Sequence, residues 1–459
     1  MPYTTVMATS LLNCARRPPL GRAWRPLSNR ALRPLSSNAW WPLSSRVWKP
    51  VVFPNDAFTP IPADQKVEEE LLPNYVASEY YPVRIGEILR DRYQIIGKVG
   101  FGTTSTVWLA RDLSGCQHVA LKIYIHSESK RGRLDNELKI YKRIEKVSEA
   151  HPRCDSIRPL LDSFDVDGPN GRHQCLVHPP LWYSVRQLRY RNDVRRLPVP
   201  IVAGTLMCIF QALDFLHNAY HVVHTDIKED NVILGADEAV FKEFEQTQLE
   251  QPTPRKELDG AIVYRSRKFG FTENPCGPVL CDLGSAVPLD DGVEHREDIQ
   301  PDVYRAPEVI LDIPWTYSAD IWNVGCMVWN MFEGETLFDG TDPEHKEYRS
   351  RTHLAEMIAL LGPPPPSLLA RANYRSKFFS DTGEWCAGIP IPESRPLELR
   401  ETTFLEDDED IREVTMVGDK EDRECFLRFM RKMLQWEPEK RSTASELLDD
   451  EWILKHTSS

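Results

Sequence analysis

The chain has no CxxC pair and, along its 459 residues, no run near the eighteen or so consecutive apolar residues that a membrane-spanning helix needs. On that ground the sequence excludes an integral membrane protein. Its ten cysteines are scattered, and the closest two, Cys276 and Cys281, have no second pair at zinc-finger spacing. That pattern argues against a disulfide framework or metal site and for reduced thiols in an intracellular compartment. Acidic residues are missing from one stretch only: positions 1–55 carry eight basic side chains (Arg16, Arg17, Arg22, Arg25, Arg30, Arg33, Arg46, Lys49) and no acid. With those eight set aside, the remaining 48 Lys and Arg face 69 Asp and Glu, so the body of the chain has a net charge of −21. Such a surface repels nucleic acid and attracts basic partners where its acids converge. What is present, 27% charged and 41% hydrophobic residues, suits a soluble globular chain of two or three packed domains and not a collagen, a coiled coil or a disordered polymer.

Residues 1–55 read as an unpacked tail. RPLS recurs at Arg25 and Arg33 and WPLS at Trp41, a period of eight with a proline in every copy, which propagates neither helix nor strand. The composition matches a mitochondrial transit peptide, with 7–17 as a short amphipathic helix; a solvated basic tail is the alternative. From Ile85 the pattern is denser. Tyr93 to Lys98, Thr106 to Ala110 and His118 to Tyr124 read as strands, and Arg133 to Val147 as a helix with Leu134, Leu138, Ile140, Tyr141 and Ile144 near one face. After about residue 200 the apolar segments lengthen into helices: 201–218, 319–332, 354–361 and 421–434. The expected architecture is α+β in two lobes: a small β-rich lobe with one helix over 90–180, then a larger helical lobe over 181–455. Residues 235–277 are polar, without a consistent period, and read as a surface insertion in the second lobe.

The chemistry-bearing residues begin with Val99-Gly100-Phe-Gly102-Thr-Thr-Ser105-Thr-Val107, where two glycines fall in a turn between strands and leave backbone N–H groups open to phosphate oxygens. A G-x-G turn alone is common in ordinary hairpins. Its neighbours change the reading. Lys122 lies inside the apolar strand Val119-Ala120-Leu-Lys122-Ile-Tyr124, where an ammonium needs a partner; Glu137 on the next helix supplies it, and the pair can present Lys122 to nucleotide phosphates. Downstream, His224-Thr225-Asp226-Ile-Lys228-Glu-Asp230-Asn231 places a carboxylate to orient a hydroxyl five residues before an amide that can hold magnesium, with Lys228 between to offset charge on a transferred phosphate. His224, beside Val222-Val223, reads as a packed core histidine and not as a base. An apolar strand then ends in Asp282-Leu-Gly284, with Asp282 the second magnesium ligand.

In this order, over roughly residues 90 to 455, the motifs resemble those of a eukaryotic protein kinase. Ala306-Pro307-Glu308 resembles the end of an activation segment, Asp320-Ile-Trp322 with Gly325 the start of the central helix, and Arg441 stands where the family pairs an arginine with Glu308, a structural ion pair. Within the kinases the chain is most similar to the SR-protein kinases: Thr225 replaces the usual arginine, DLG replaces DFG, Ser105 replaces a third glycine, and an insertion lies between Asp226 and Asp282. The resemblance implies ATP and Mg2+, transfer of the γ-phosphate to serines in Arg/Ser-rich proteins linked to splicing, activity without a phosphate switch, a monomer, and residence in cytoplasm and nucleus, with mitochondrial targeting by the N-terminus as the other option. It implies no direct contact with nucleic acid or membrane. Docking of a polycation would fall to Glu335, Asp339, Asp342, Glu344 and Glu347, and less to Glu406–Asp410. Two departures stand out. Glu229 replaces the proline after Lys228, taken as harmless in a surface turn. His178-Pro179-Pro180-Leu181 aligns with the adenine-binding hinge, leaving recognition to the Pro179 carbonyl and the Leu181 amide. The rival readings are a pseudokinase scaffold and an active kinase of other specificity.

Overall fold

The computed structural model describes residues 47–126, 135–148, 155–258, 261–272, 274–290 and 292–457. The repeats and possible targeting helix before residue 47, and Leu134 with the start of the expected helix, lie outside them.

The small lobe is a six-stranded sheet in the order β1-β2-β3-β4-β6-β5, all neighbours antiparallel, from β1 (Ile88–Leu89), β2 (Tyr93–Phe101), β3 (Ser105–Asp112), β4 (Gln117–Tyr124), β5 (Asp162–Gly168) and β6 (Gly171–His178). The central strands β2, β3 and β4 are buried on both faces: Ile95 and Ile96, Leu109 and Ala110, and Leu121 are all fully buried. Helix α1 (Asn136–Ser148) packs beside the sheet through Ile140 and Tyr141. The large lobe is helical, built around α3 (Val199–Asp214) and α5 (Ser318–Glu333), the latter buried over most of its length. Short strands β7 (Val222–Val223), β8 (Val232–Gly235), β11 (Cys276–Leu280) and β12 (Val287–Pro288) frame the loops at the lobe interface. A connection at Pro179 to Ser184 leads from β6 into α2 (Val185–Arg191), which Ser184 caps by accepting from the Gln187 N–H at 3.2 Å. The α+β, two-lobed expectation holds.

Three expectations need correction. First, α3 with its continuation, Val199–Ala219, is long and apolar enough by length and composition to cross a bilayer, although Gln211, Asp214 and small residues interrupt any continuous run. Two-thirds of its most apolar window is buried inside the lobe, as expected for the central helix of a helical core. Second, the tail does not run to residue 55: Trp48 donates from its N–H to the Leu113 carbonyl at 2.8 Å, Val51 bonds Gln94, and Phe53 joins the main core at 4% exposure. Third, the insertion is not confined to the surface of the second lobe. Residues 238–264 form α4 (Glu238–Glu250) and a hairpin of β9 (Arg255–Leu258) and β10 (Ala261–Tyr264), and these return to the small lobe.

That return is held by apolar and ionic contacts alike. Phe244 covers Gly97 so closely that a Cβ there would stand 3.0 Å from its ring. Tyr264 meets Trp108 edge to face at 5.5 Å. His118 of β4 is gripped by Glu238 and Glu245, and these carboxylates raise its pKa against the opposing effect of burial. Lys98, fully buried just before the glycine turn, pairs with Glu69 and donates to the Tyr264 carbonyl at 3.2 Å, while Lys256 pairs with Glu70 at 2.8 Å. Residues 47–85, 238–258 and 261–270 thus pack against the sheet of the small lobe. No period marks this segment because its buried face is a few aromatics spaced between charges that pair on arrival. Phe244→Ala should cost about 3–5 kcal/mol, as loss of a buried phenyl ring does, seen as a lower urea midpoint; an unchanged midpoint would show that α4 is not docked on the sheet.

Candidate active site

Lys122 lies on β4, and its Nζ donates to Glu137 Oε2 of α1 at 2.7 Å and to Asp282 Oδ1 at 3.0 Å. One cation therefore joins the small-lobe sheet, α1 and the loop of the large lobe. Tyr124 adds a hydroxyl donor to Glu137, and Asn136 donates from Nδ2 to the carbonyls of Gly284 at 2.9 Å and Ala286 at 3.0 Å. Neither residue stood out in the sequence; only the neighbourhood of Glu137 hinted at Asn136. The Lys122 ammonium, foremost, holds the Asp282 carboxyl down at about 2. A lowered carboxylate pKa stabilises the folded state fully above about pH 4, the ordinary aspartate value, and that stabilisation fades as pH falls through about 2. Asp282 is thus an anion wherever an enzyme works, as metal binding requires. Its backbone sits in the left-handed region at φ +63°, a conformation held by the loop around it.

The second cluster is equally tight. Asp226 receives Lys228 Nζ at 2.9 and 2.7 Å on its two oxygens and Asn231 Nδ2 at 2.9 Å, and that same amide donates to the Asp226 carbonyl at 2.8 Å. With its N–H donors spent on Asp226, Asn231 leaves its amide oxygen without a hydrogen bond among the described residues, the end suited to a hard cation. The loop hangs from Asp320: its carboxylate accepts the N–H of His224 at 2.8 Å and of Thr225 at 2.9 Å, and pairs with His217 at 2.9 Å. His224 is fully buried and bonds the Cys281 carbonyl, and Thr225 gives its hydroxyl to Ser285.

The remaining assigned residues lie on the strands and the connection next to Lys122. Val99 and Val107 flank the glycine turn, Ser105 begins β3, and Ala120 lies two residues before Lys122. A Cβ placed on Gly100 or Gly102 would meet nothing within 4 Å, so no protein atom fills the space beside the turn. Leu181 keeps its N–H unpartnered among the described residues, whereas the Pro179 carbonyl accepts Nη2 of Arg158 at 2.9 Å. The donor set, a carboxylate and an amide oxygen with a lysine and a glycine turn that no side chain fills, fits a magnesium–triphosphate. Far from the cleft, Arg441 bonds Glu308 in bidentate fashion at 2.6 and 2.7 Å, both side chains buried, which suits a structural pair.

Other assignments fare differently. Asp342 is fully buried, taking Arg351 at 2.5 and 3.0 Å and two loop N–H groups, so it cannot dock a partner. Glu344 and Glu347 are exposed but pair with Arg351 and Arg349, and Glu335 faces Arg400 at 3.9 Å; Asp339 is exposed. Glu229 is not in a surface turn. It is 3% exposed and bonds Arg189, itself 4% exposed, at 2.7 and 2.8 Å. Burial pushes its carboxyl up and Arg189 opposes that. Where the family usually has a rigid proline, this chain fixes the turn after Lys228 by a buried ion pair.

A family model described as protein kinase domain matches residues 93–453, and the chain belongs to the protein kinase family. It is 38% identical over 392 residues to a serine/threonine protein kinase of Aspergillus fumigatus, covering 85% of this chain and 91% of that one. It is 29% identical to the serine/threonine-protein kinase SRPK of Physarum polycephalum (84% and 91% covered) and 23% identical to SRSF protein kinase 3 of Mus musculus (84% and 90%). The chain is a Ser/Thr protein kinase, with relatives of the SR-protein kinase type at modest identity.

Arg189→Ala leaves the Glu229 carboxylate buried and unpaired and should cost about 3–5 kcal/mol in urea unfolding. Adding Glu229→Pro, which removes the stranded charge, should recover most of that loss; no recovery would mean Arg189 acts through Gly334 and Arg195 instead.

Proposed function

We propose that this kinase transfers the γ-phosphate of Mg-ATP to serines flanked by arginine in Arg/Ser-rich proteins of RNA splicing. The observation that carries it is the pair of clusters described above: one lysine bridging Glu137 and Asp282, and Asp226 held beside Lys228 and Asn231. In this reading Asp226 orients the substrate hydroxyl and accepts its proton, Lys228 offsets the charge of the moving phosphoryl group, and Asn231 and Asp282 hold magnesium. Lys122, kept in place by Glu137, receives the phosphates, with the turn at Gly100 and Gly102, which no side chain fills, closing over them. Magnesium supplies charge neutralisation at the phosphate oxygens.

Activity without a phosphate switch is part of this proposal. The segment before Glu308 is held by its own side chains: Gln300 donates to the Ala319 carbonyl at 2.9 Å and accepts from the Ala306 N–H at 2.8 Å, and Arg305 pairs with Asp298 and Asp302. Thr225 has no charge with which to bind a phosphate there. Residence in cytoplasm and nucleus follows from such substrates.

Substrate choice has a second reading, an active kinase of other peptide specificity. It is favoured by the arginines that already occupy Asp342, Glu344 and Glu347, which leave less free carboxylate than a polycation needs. One experiment addresses both. Asp226→Ala should abolish transfer of labelled phosphate to an Arg-Ser peptide while Mg-ATP still raises the melting temperature; unchanged turnover refutes the catalytic assignment. For the intact enzyme, an Arg-Ser peptide should outcompete acidic and Ser-Pro peptides, with KM rising with salt. Preference for either of the others selects the second reading.

A further inference from the structure

The eight-residue repeat before the described residues is a motif that phosphotransfer leaves without a role, and its three copies are not equal. Arg25-Pro-Leu-Ser28 ends in a serine with an arginine three residues before it and another, Arg30, two residues after. Arg33-Pro-Leu-Ser36 keeps the preceding arginine. Trp41-Pro-Leu-Ser44 has lost it, and Arg46 alone follows. The chemistry of the proposed substrate, a serine flanked by arginine, is therefore present in the chain itself. Residues 1–46 hold seven arginines and no acid, and the rest of the chain is strongly acidic, so attraction draws the one toward the other.

The point at which this segment joins the small lobe decides what each serine can reach. Trp48 donates its N–H to the Leu113 carbonyl at 2.8 Å, and its ring lies 4.5 Å from the Arg111 guanidinium and edge-on to His118 at 5.4 Å. Leu113 directly follows β3, whereas the residue of β3 opposite Lys122 is Val107. At about 3.3 Å per residue the anchor stands about 20 Å from Lys122 along the sheet. A chain spans at most about 3.5 Å per residue, so Ser44, close before Trp48, extends no more than about 14 Å and stops short of the site. Ser36 extends to about 42 Å and Ser28 to about 70 Å, enough for both to enter it. A tether of such length also raises the local concentration of the serines it carries.

Resting on the proposed preference for arginine-flanked serines, we infer that Ser28 and Ser36 are substrates of this kinase within its own chain, phosphorylated in cis. The serine Oγ attacks the γ-phosphorus of Mg-ATP, the bond from that phosphorus to the β,γ-bridging oxygen breaks, ADP leaves, and the hydroxyl proton passes to Asp226. Each phosphate adds about −1.5 to −2 charge to a segment that is otherwise purely basic, and so weakens its attraction to the acidic body. Ser44 is the internal control: it lacks both the preceding arginine and the reach.

The test is to incubate the full chain with Mg-ATP and no other substrate and to locate the phosphate by mass spectrometry. Phosphate should appear on Ser28 and Ser36 and not on Ser44, at a rate per molecule that does not depend on protein concentration, and Asp226→Ala should carry none. Arg25→Ala should lower the phosphate on Ser28 by about tenfold, as loss of a charged hydrogen bond does, with turnover of an added Arg-Ser peptide unchanged. Trp41→Arg restores the motif but not the reach, and should leave Ser44 bare. Unmodified serines in a chain that turns over the added peptide, equal phosphate on all three, a rate that rises with concentration, Ser28 modified as before in Arg25→Ala, or phosphate on Ser44 in Trp41→Arg overturns the inference alone. Failure to phosphorylate either its own serines or the added peptide overturns the preference for arginine-flanked serines with it.

Discussion

The Lys122 ammonium is the constraint on which the rest of the molecule depends. It is mostly buried, and a buried cation is tolerated only when paired. Its two carboxylate partners come from elements far apart in sequence, Glu137 on α1 and Asp282 at the end of β11. Satisfying one charge therefore fixes the helix to the sheet and the large lobe to both. Tyr124 and Asn136 act on the same junction from either side, one through Glu137, the other through the carbonyls after Asp282. The electrostatics that hold the lobes in register are the electrostatics that keep Asp282 ionised for a metal.

Asp320 does comparable work lower down. Its two oxygens accept consecutive backbone N–H groups, so the loop bearing Asp226 is suspended from α5, which is packed on all sides. Asp226, Lys228 and Asn231 then need only local hydrogen bonds to hold their arrangement. This is a site built on rigid elements, with loop residues supplying chemistry and a buried helix supplying position.

Much of this was legible in the sequence because it is written in short segments with strict chemical demands. A lysine in an apolar strand, an aspartate five residues before an asparagine, and an acid ending a strand each state a requirement that few other residues meet. The insertion was illegible for the opposite reason. Helix α4 buries Val240, Phe241 and Phe244 but also Glu245 and Gln248, and polar residues with distant partners blur the period that marks a helix face. Glu229 was misjudged likewise: its partner, Arg189, is forty residues away, and no local pattern announces a bidentate pair. Asp342 was misjudged because charge counts along a chain cannot tell a free carboxylate from one already met by an arginine nine residues on. Trp48 and Phe53 were hidden in a proline-rich stretch whose composition speaks for its upstream part alone.

The return of the insertion to the small lobe has a mechanical meaning. In a chain whose lobes are joined only by the strand leaving β6, opening is a swing about a single covalent link. Here the backbone crosses the divide three times: at the hinge, outward before α4, and back along the segment where the Phe269 and Gly270 carbonyls accept the Tyr183 hydroxyl and the Trp182 indole. Three parallel strands of chain resist twisting far more than one. The cleft is thus a jaw with a wide pivot, a geometry that favours small opening excursions over wide separation of the two halves.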